Sequence, residues 1–497
     1  MRRRVRRSVL RSWRSSSPPA PWPPSDADPA GARIKERSCL VKGVQTLKIS
    51  ISGVRGVVGD SLTPTLLVEF AQSFGTYTNG GTVVLGTDTR TSREMAKHAV
   101  LAGLAATGCQ VVDIGICPVP TVQLAVERLH AAGGICITAS HNPVEWNALK
   151  FIRSDGVFLS TYQAEELLDI YHQGEFRLVD SASIPRVRFY AGALEDHMRA
   201  VISCVDADLV RQRRFRVVAD CCNGAGSVVT PEFLSRLGCD VIPINAEPNG
   251  LFPHPPEPLK ENLGQLCAAV KEYDADLGVV QDADADRLAL VSDQGEPLTE
   301  ELTVSLATWL VLRRRQRSGL PPAPVVVNLS TTSLIEDIAG RYGYAVIRSL
   351  VGEANVVEAM KRSGAVIGGE GNGGVIWPDV HYGRDSLAGI AAVLQLLAEE
   401  RKPISALVGS LPHYHMEKLK EPCTSERAQQ VLKALKEQYA GVRMDTRDGV
   451  KLMFDDGAWV HARASRTEPV LRLIVEARSP ARMAELRDRI RSHIYGG

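Results

Sequence analysis

The chain repeats one pattern three times: a short apolar run, a segment long enough for a helix, then another apolar run. The first set is Val83-Val84-Leu85, Val111-Val112-Asp113-Ile114 and Ile135-Cys136-Ile137, separated by helical stretches at 93–107 and 122–131. The pattern restarts at Phe215-Arg216-Val217-Val218-Ala219-Asp220, continues through Asn223-Gly224-Ala225-Gly226 and a helix over 228–237, and reaches a strand at Val241-Ile242-Pro243-Ile244. It restarts again at Val325-Val326-Val327-Asn328, with a helix over 335–342 and a strand at 345–347. Such alternation favours mostly parallel or mixed sheets covered by helices, and its recurrence suggests related domains. From about residue 415 a polar helix (425–439) precedes strand-like runs at 450–454, 459–462 and 470–475 and a last helix at 481–494. The expected fold is α/β: three related mixed-sheet α/β domains at 43–190, 191–296 and 297–415, plus a C-terminal α+β domain at 416–497.

Length agrees, because 497 residues exceed the ~250–300 that one core sustains. The net charge of +1 hides an asymmetry. Residues 1–42 hold eleven Lys/Arg against three acids, leaving 47 against 54 in the rest, a net −7. A mildly acidic body has no electrostatic footprint for nucleic acid or anionic membrane. No apolar run approaches the ~18 residues of a membrane span, and no apolar h-region follows the basic start. Residues 1–42, rich in Arg and Pro, are expected to be a disordered tail outside the fold. Ten cysteines without a C-x-x-C pair suit a reducing, cytoplasmic setting.

Four loops concentrate chemistry. Thr138-Ala139-Ser140-His141-Asn142-Pro143 follows an apolar strand, and the Asn-Pro turn is expected to expose the Ser140 hydroxyl. Ten residues on, Lys150 offers a cation to the same pocket. No G-x-S-x-G elbow supports a hydrolase. Gln281-Asp282-Ala283-Asp284-Ala285-Asp286-Arg287 alternates three carboxylates with small residues, a cluster that repels itself unless a hard divalent ion sits among it. An EF-hand is excluded, since Arg287 and Asp293 stand where that loop needs glycine and glutamate. Gly368-Gly369-Glu370-Gly371-Asn372-Gly373-Gly374 reads as a loop that lets backbone approach a ligand, with Glu370 and Asn372 suited to sugar hydroxyls. Arg463-Ala464-Ser465-Arg466-Thr467-Glu468-Pro469 has the composition of an anion cradle. Arg55 in Ser52–Gly56 and Arg90 in Gly86–Ser92 lie in two further candidate loops. Gly224-x-Gly226 lacks the third glycine of a dinucleotide fingerprint.

In this order, across residues 43–497, the four loops resemble those of the α-D-phosphohexomutase superfamily. The resemblance implies three α/β domains and a C-terminal domain around a central cleft. It implies that Ser140 is a phosphoserine that donates and recovers phosphate, and that Asp282, Asp284 and Asp286 bind one Mg²⁺ with Ser140 as a further ligand. Lys150 would be the general acid/base and Arg287 would stand beside the transferring phosphate. Arg55, His141 and Asn142 would line the reacting centre. Glu370 and Asn372 would hold sugar hydroxyls, while Arg463, Ser465 and Thr467 would grip the non-reacting phosphate. A hexose 1,6-bisphosphate would be both intermediate and activator.

The chain departs from the family pattern at several points. Ala283 and Ala285 replace common glycines, Asn372 a common serine and Gly374 a common histidine, for which His381 is a stand-in. Arg466 occupies a position that is often Gly or Asn. The combination of E-G-N-G-G, H-Y-G-R-D and A-S-H-N-P-x-E-W-N resembles the branch that interconverts glucosamine 6-phosphate and glucosamine 1-phosphate. Phosphomannomutase/phosphoglucomutase activity is the close alternative, and a non-catalytic sugar-phosphate-binding paralogue the distant one. The sequence leaves the oligomeric state open.

Overall fold

The structure, a computed structural model, describes residues 47–50, 53–465 and 469–495. The tail at 1–42, Arg466 and Thr467 lie outside the described residues.

The three restarts are three copies of one sheet plan. In the first, Val83–Thr87 pairs in parallel with Val111–Ile116 on one side and Gly133–Ile137 on the other; Trp146–Arg153 then runs antiparallel beside Gly133–Ile137. In the second, Arg216–Asp220 has Asp240–Ile244 and Leu277–Gln281 as parallel neighbours, with Leu288–Val291 antiparallel outside. In the third, Val325–Asn328 lies between Val346–Ser349 and Ile367–Glu370, with Gly374–Ile376 antiparallel outside. Each functional loop therefore sits between the last parallel strand and its antiparallel neighbour. The strands Val83–Thr87, Leu277–Gln281 and Val325–Asn328 are fully buried, as sheets covered on both faces require. The first sheet is widened to seven strands by Lys48–Ser50, Gly53–Val57 and Arg188–Phe189.

The fourth sheet is wholly antiparallel, ordered His415–Pro422, Val470–Ala477, Trp459–Ala464, Val450–Met453, Arg443–Asp445. Its apolar face packs on helices Ser425–Gln438 and Pro480–Tyr495 through Val431, Leu435, Val460, Leu473, Leu486 and Ile490.

Several expectations need correction. Arg55 lies in the strand Gly53–Val57, not a loop. The glycine stretch is largely hairpin, because Ile367–Glu370 and Gly374–Ile376 pair across it. The helix expected at 122–131 begins three residues earlier, where Pro118 and Pro120 suit a helix start. Among the described residues all cysteines are unpaired, and no helix is long and apolar enough to cross a membrane.

Candidate active site

Ser140 ends the turn after Gly133–Ile137 with φ +51°, a left-handed conformation costly for a residue with a Cβ. Its hydroxyl is buried rather than exposed: it donates to Asp282 Oδ2 at 2.7 Å. What holds the turn is Arg90. This fully buried guanidinium donates to the carbonyls of Ser140 (2.7 Å), Asn142 (2.6 Å), Pro143 (2.5 Å) and Trp146 (3.0 Å), and Asp88 neutralises it at 3.1 Å. Thr138 closes the turn, accepting from the Ser140 amide at 3.0 Å and donating to Asp284 at 3.1 Å. Arg55 donates to Asn142 Oδ1 at 2.9 Å. His141 Nδ1 stands 3.4 Å from the Ser140 hydroxyl. Burial, then Arg287 and Arg55, push the His141 pKa well below its usual value, so the ring is neutral.

The aspartate loop meets this turn directly. Asp282, Asp284 and Asp286 are fully buried, with one oxygen of each lying within 4.8 Å of the others. Asp282 Oδ1 accepts the amides of Asp286 and Arg287, which folds the loop around it. Ala285, one of the two alanines in place of a common glycine, takes φ +52° and so sits in the backbone region glycine prefers. Burial, then Asp284 and Asp286, raise the Asp282 pKa well above the carboxylate range. Among the described residues, Asp284 Oδ1 and Asp286 Oδ1 have no hydrogen-bond donor. Three converging buried carboxylates with two orphan oxygens form a fitting donor set for a hard divalent cation.

Lys150 lies mid-strand in Trp146–Arg153, and its Nζ reaches Asp284 at 2.7 Å and Asp286 at 3.3 Å. Burial opposes its charge, but Asp284 and Asp286 outweigh burial and push its pKa up. Arg287 lies 4.0 Å from Asp282, 3.9 Å from Asp286 and 3.8 Å from Glu257.

The glycine hairpin joins the same network through Arg384, a residue not singled out from sequence. Its Nη2 donates to Asp286 at 2.7 Å and its Nη1 to Glu370 at 3.0 Å, and its Nε lies 3.0 Å from Glu353. Burial opposes ionisation of Asp286, but Arg384, then Lys150 and Arg287, hold its pKa below the usual range. The other Glu370 oxygen accepts from Asn328 (2.8 Å) and the Gly352 amide (2.9 Å), and Asn372 Nδ2 lies 3.4 Å from Oε2. Gly374 leaves the room Arg384 needs, since a Cβ there would stand 2.3 Å from Arg384 Cδ. Arg384, not His381, takes the space beside Glu370. His381 is buried against Asp385 instead.

Arg463 lies one residue before the end of the strand Trp459–Ala464, and Ser465 follows that strand. Arg463 lies 3.9 Å from Asp448, which also accepts the Val351 amide at 3.1 Å. Val351 precedes Gly352, so adjacent amides link Glu370 to the side of the cradle. The structure thus brings Ser140, His141, Asn142, Arg55, Lys150, the three aspartates and Arg287 into one centre. Glu370 joins it through Arg384, whereas Arg463 and Ser465 belong to a separate group.

Comparison with known proteins assigns the class. Models of the phosphoglucomutase/phosphomannomutase α/β/α domains I, II and III match residues 47–178, 195–295 and 301–414, and that of the C-terminal domain matches 418–493. The chain belongs to the phosphoglucomutase/phosphomannomutase family, phosphohexomutases that move a phosphate within a hexose phosphate. A phosphoglucomutase/phosphomannomutase of Thermococcus kodakarensis is 38% identical over 440 residues, covering 87% of this chain and 95% of the relative. A probable phosphoglucosamine mutase of Methanopyrus kandleri is 38% identical over 442 residues, covering 88% and 95%. Among solved structures, a phosphoglucomutase/phosphomannomutase family protein of Burkholderia thailandensis superposes with a TM-score of 0.79 at 26% identity, covering 90% of this chain and 99% of that one.

Proposed function

We propose that this phosphohexomutase interconverts glucosamine 6-phosphate and glucosamine 1-phosphate through a phosphoserine at Ser140. The carrying observation is the Ser140 hydroxyl seated 2.7 Å from the three-aspartate cluster, with Lys150 on the same carboxylates. In the forward half-reaction the Oγ–P bond of phosphorylated Ser140 breaks as a sugar hydroxyl oxygen bonds to phosphorus, giving a bisphosphate. In the second half, the other phosphate of the reoriented sugar returns to Ser140. Positioning and charge neutralisation do most of the work in such a transfer. Asp282, Asp284 and Asp286 would hold Mg²⁺, which supplies electrostatic stabilisation of the phosphoryl oxygens. Lys150 carries a proton at Nζ and hands it to the departing Ser140 oxygen, while the proton of the attacking sugar hydroxyl passes to an oxygen of the transferring phosphoryl group. To act as base on the return it must loosen from Asp284 and Asp286, which hold it protonated. Neutral His141 and Asn142, the latter fixed by Arg55, line the phosphoryl path, with Arg287 beside it. Arg384 aims Glu370, and Glu370 with Asn372 receives sugar hydroxyls. Arg463, Ser465 and Thr467 take the distal phosphate from either orientation of the sugar. Hexose 1,6-bisphosphate would prime Ser140, and soluble sugar phosphates as substrates accord with a cytoplasmic enzyme.

The preference for glucosamine rests on relatives named probable phosphoglucosamine mutase, of 32–38% identity. The Thermococcus relative named phosphoglucomutase/phosphomannomutase favours the second reading, mannose or glucose phosphates. A coupled assay on the three hexosamine and hexose 1-phosphates decides. We expect kcat/KM highest for glucosamine 1-phosphate; a tenfold preference for another sugar, about 1.4 kcal/mol in the transition state, replaces the name but not the mechanism. Peptide mass spectrometry should find exchangeable phosphate on Ser140, and its absence from an active enzyme would overturn the mechanism.

A further inference from the structure

Away from the transfer centre, a second cluster of ligating side chains is buried where the three α/β units meet. His197 lies in the helix Ala193–Ser203, His381 follows the strand Gly374–Ile376, and Asp385 caps the helix Ser386–Glu400. One ligating atom of each lies within 4.8 Å of the others, and all three side chains are at most 1% exposed.

Two members are fixed by their surroundings. Asp385 Oδ1 accepts the amides of Leu387 (2.9 Å) and Ala388 (3.3 Å), so its Oδ2 points away from the helix into the cluster. His197 Nδ1 is bonded at 2.8 Å to the hydroxyl of Thr121, from the helix Val119–Arg128 of the first unit, and its Nε2 lies 2.8 Å from Asp385 Oδ2. His381 is the anomaly. Its Nε2 stands 3.3 Å from the same oxygen without hydrogen-bond alignment, and among the described residues neither ring nitrogen has a hydrogen-bond partner. A buried imidazole with both nitrogens unused is costly unless something else takes a lone pair.

We propose that His197 Nε2, His381 Nε2 and Asp385 Oδ2 bind a first-row divalent cation of the Zn²⁺ type, with the fourth tetrahedral position left to a water. The His381–Asp385 separation of 3.3 Å is the edge of a tetrahedron with bonds of about 2.0–2.1 Å. The His197–Asp385 edge opens by about half an ångström when the ion replaces the proton on His197 Nε2. That proton is released to solvent. Thr121 and the two helix amides are the outer hydrogen bonds that orient such ligands. Two imidazoles and one carboxylate select zinc or cobalt over magnesium, the reverse of the all-oxygen aspartate loop. The ion would staple the contact between the helices Val119–Arg128 and Ala193–Ser203 to the third unit without touching the reacting atoms.

The test uses the full chain, stripped with chelator and held in millimolar Mg²⁺ to occupy the aspartate loop. Titration with Co²⁺ should give one equivalent of visible d–d absorption, displaced by Zn²⁺, and Zn²⁺ should raise the melting temperature. His381→Gln should lose both responses. X-ray absorption of the Zn²⁺-loaded wild type should show two imidazole ligands and no sulfur, a readout that holds even if the variant folds poorly. Sulfur ligation, no stoichiometric Co²⁺ uptake under Mg²⁺, or unchanged uptake by a folded His381→Gln would each overturn the proposal.

Discussion

The serine, aspartate and glycine loops each join a parallel strand to its antiparallel neighbour, whereas the C-terminal cradle joins two strands of a wholly antiparallel sheet. The first three are locked to one another by buried groups: Ser140 on Asp282, Lys150 on Asp284 and Asp286, Arg384 on Asp286 and Glu370. The cradle's sheet meets the third unit through the face opposite its helices. Lys451 donates to the Leu329 carbonyl (2.6 Å), His461 meets Ser330 (2.8 Å), and Lys418 meets the Gly371 carbonyl (2.5 Å) and Glu301 (2.7 Å). The difference suggests a division of labour. On the proposed mechanism the reacting atoms would be held by interlocked charges, while the distal phosphate would be taken by a separate element of the C-terminal sheet.

The sharpest break of this contrast is Ser140→Ala, expected to abolish protein-bound phosphate and lower kcat by about 10⁴-fold or more, ~5 kcal/mol of barrier, as read by turnover and mass spectrometry. Asp284→Asn removes a carboxylate shared by Lys150 and the cation site. We expect activity to fall by about 10²–10³-fold, with Mg²⁺ half-saturation moved upward in a titration of rate. Arg90→Lys keeps the charge but loses the fork that holds four carbonyls, so kcat should drop about tenfold to a hundredfold while KM changes little. Arg463→Ala should do the opposite, raising KM about tenfold with a smaller loss in kcat. If both variants changed the same parameter, the division of labour would be wrong.

The smallest effect concerns the join between the two regions. His461 is buried, with Nε2 donating to the Asp448 carbonyl (2.7 Å) and Nδ1 accepting from Ser330; burial lowers its pKa to about 4. The unfolded chain, with a histidine pKa near 6.5, binds the proton more readily than the native state. Stability should therefore be intact above about pH 6.5 and decline as pH falls toward 4. In His461→Gln, the fall in melting temperature between pH 7 and pH 5 should shrink by a few degrees.

Legibility followed local density. The four loops stood out because unusual residues crowd into six or seven positions, and the central parallel strands because they are apolar runs. The strand Trp146–Arg153 was hidden because Asn147, Lys150 and Arg153 make it read as polar, and Lys150 finds its carboxylates more than 130 residues away. The helix Glu301–Arg317 left no amphipathic trace because residues 301–312 are buried on every side. Arg90 had a visible Asp-x-Arg signature but no sign of its targets, all of which are backbone carbonyls of another loop. Arg384 had one signal, the glycine at 374 where a histidine is common. His197 had none.

The close approach of Arg384 to Gly374 makes the two positions one seat rather than two independent sites. A histidine grafted at 374 alone would meet an arginine pinned by three carboxylates and could not be seated without dislodging it. Grafting a histidine into this hairpin thus requires paired substitution: Gly374→His with a shortened residue at 384. The cost falls on Asp286, which would lose its nearest guanidinium, so a change made at the glycine hairpin is felt by the aspartate loop.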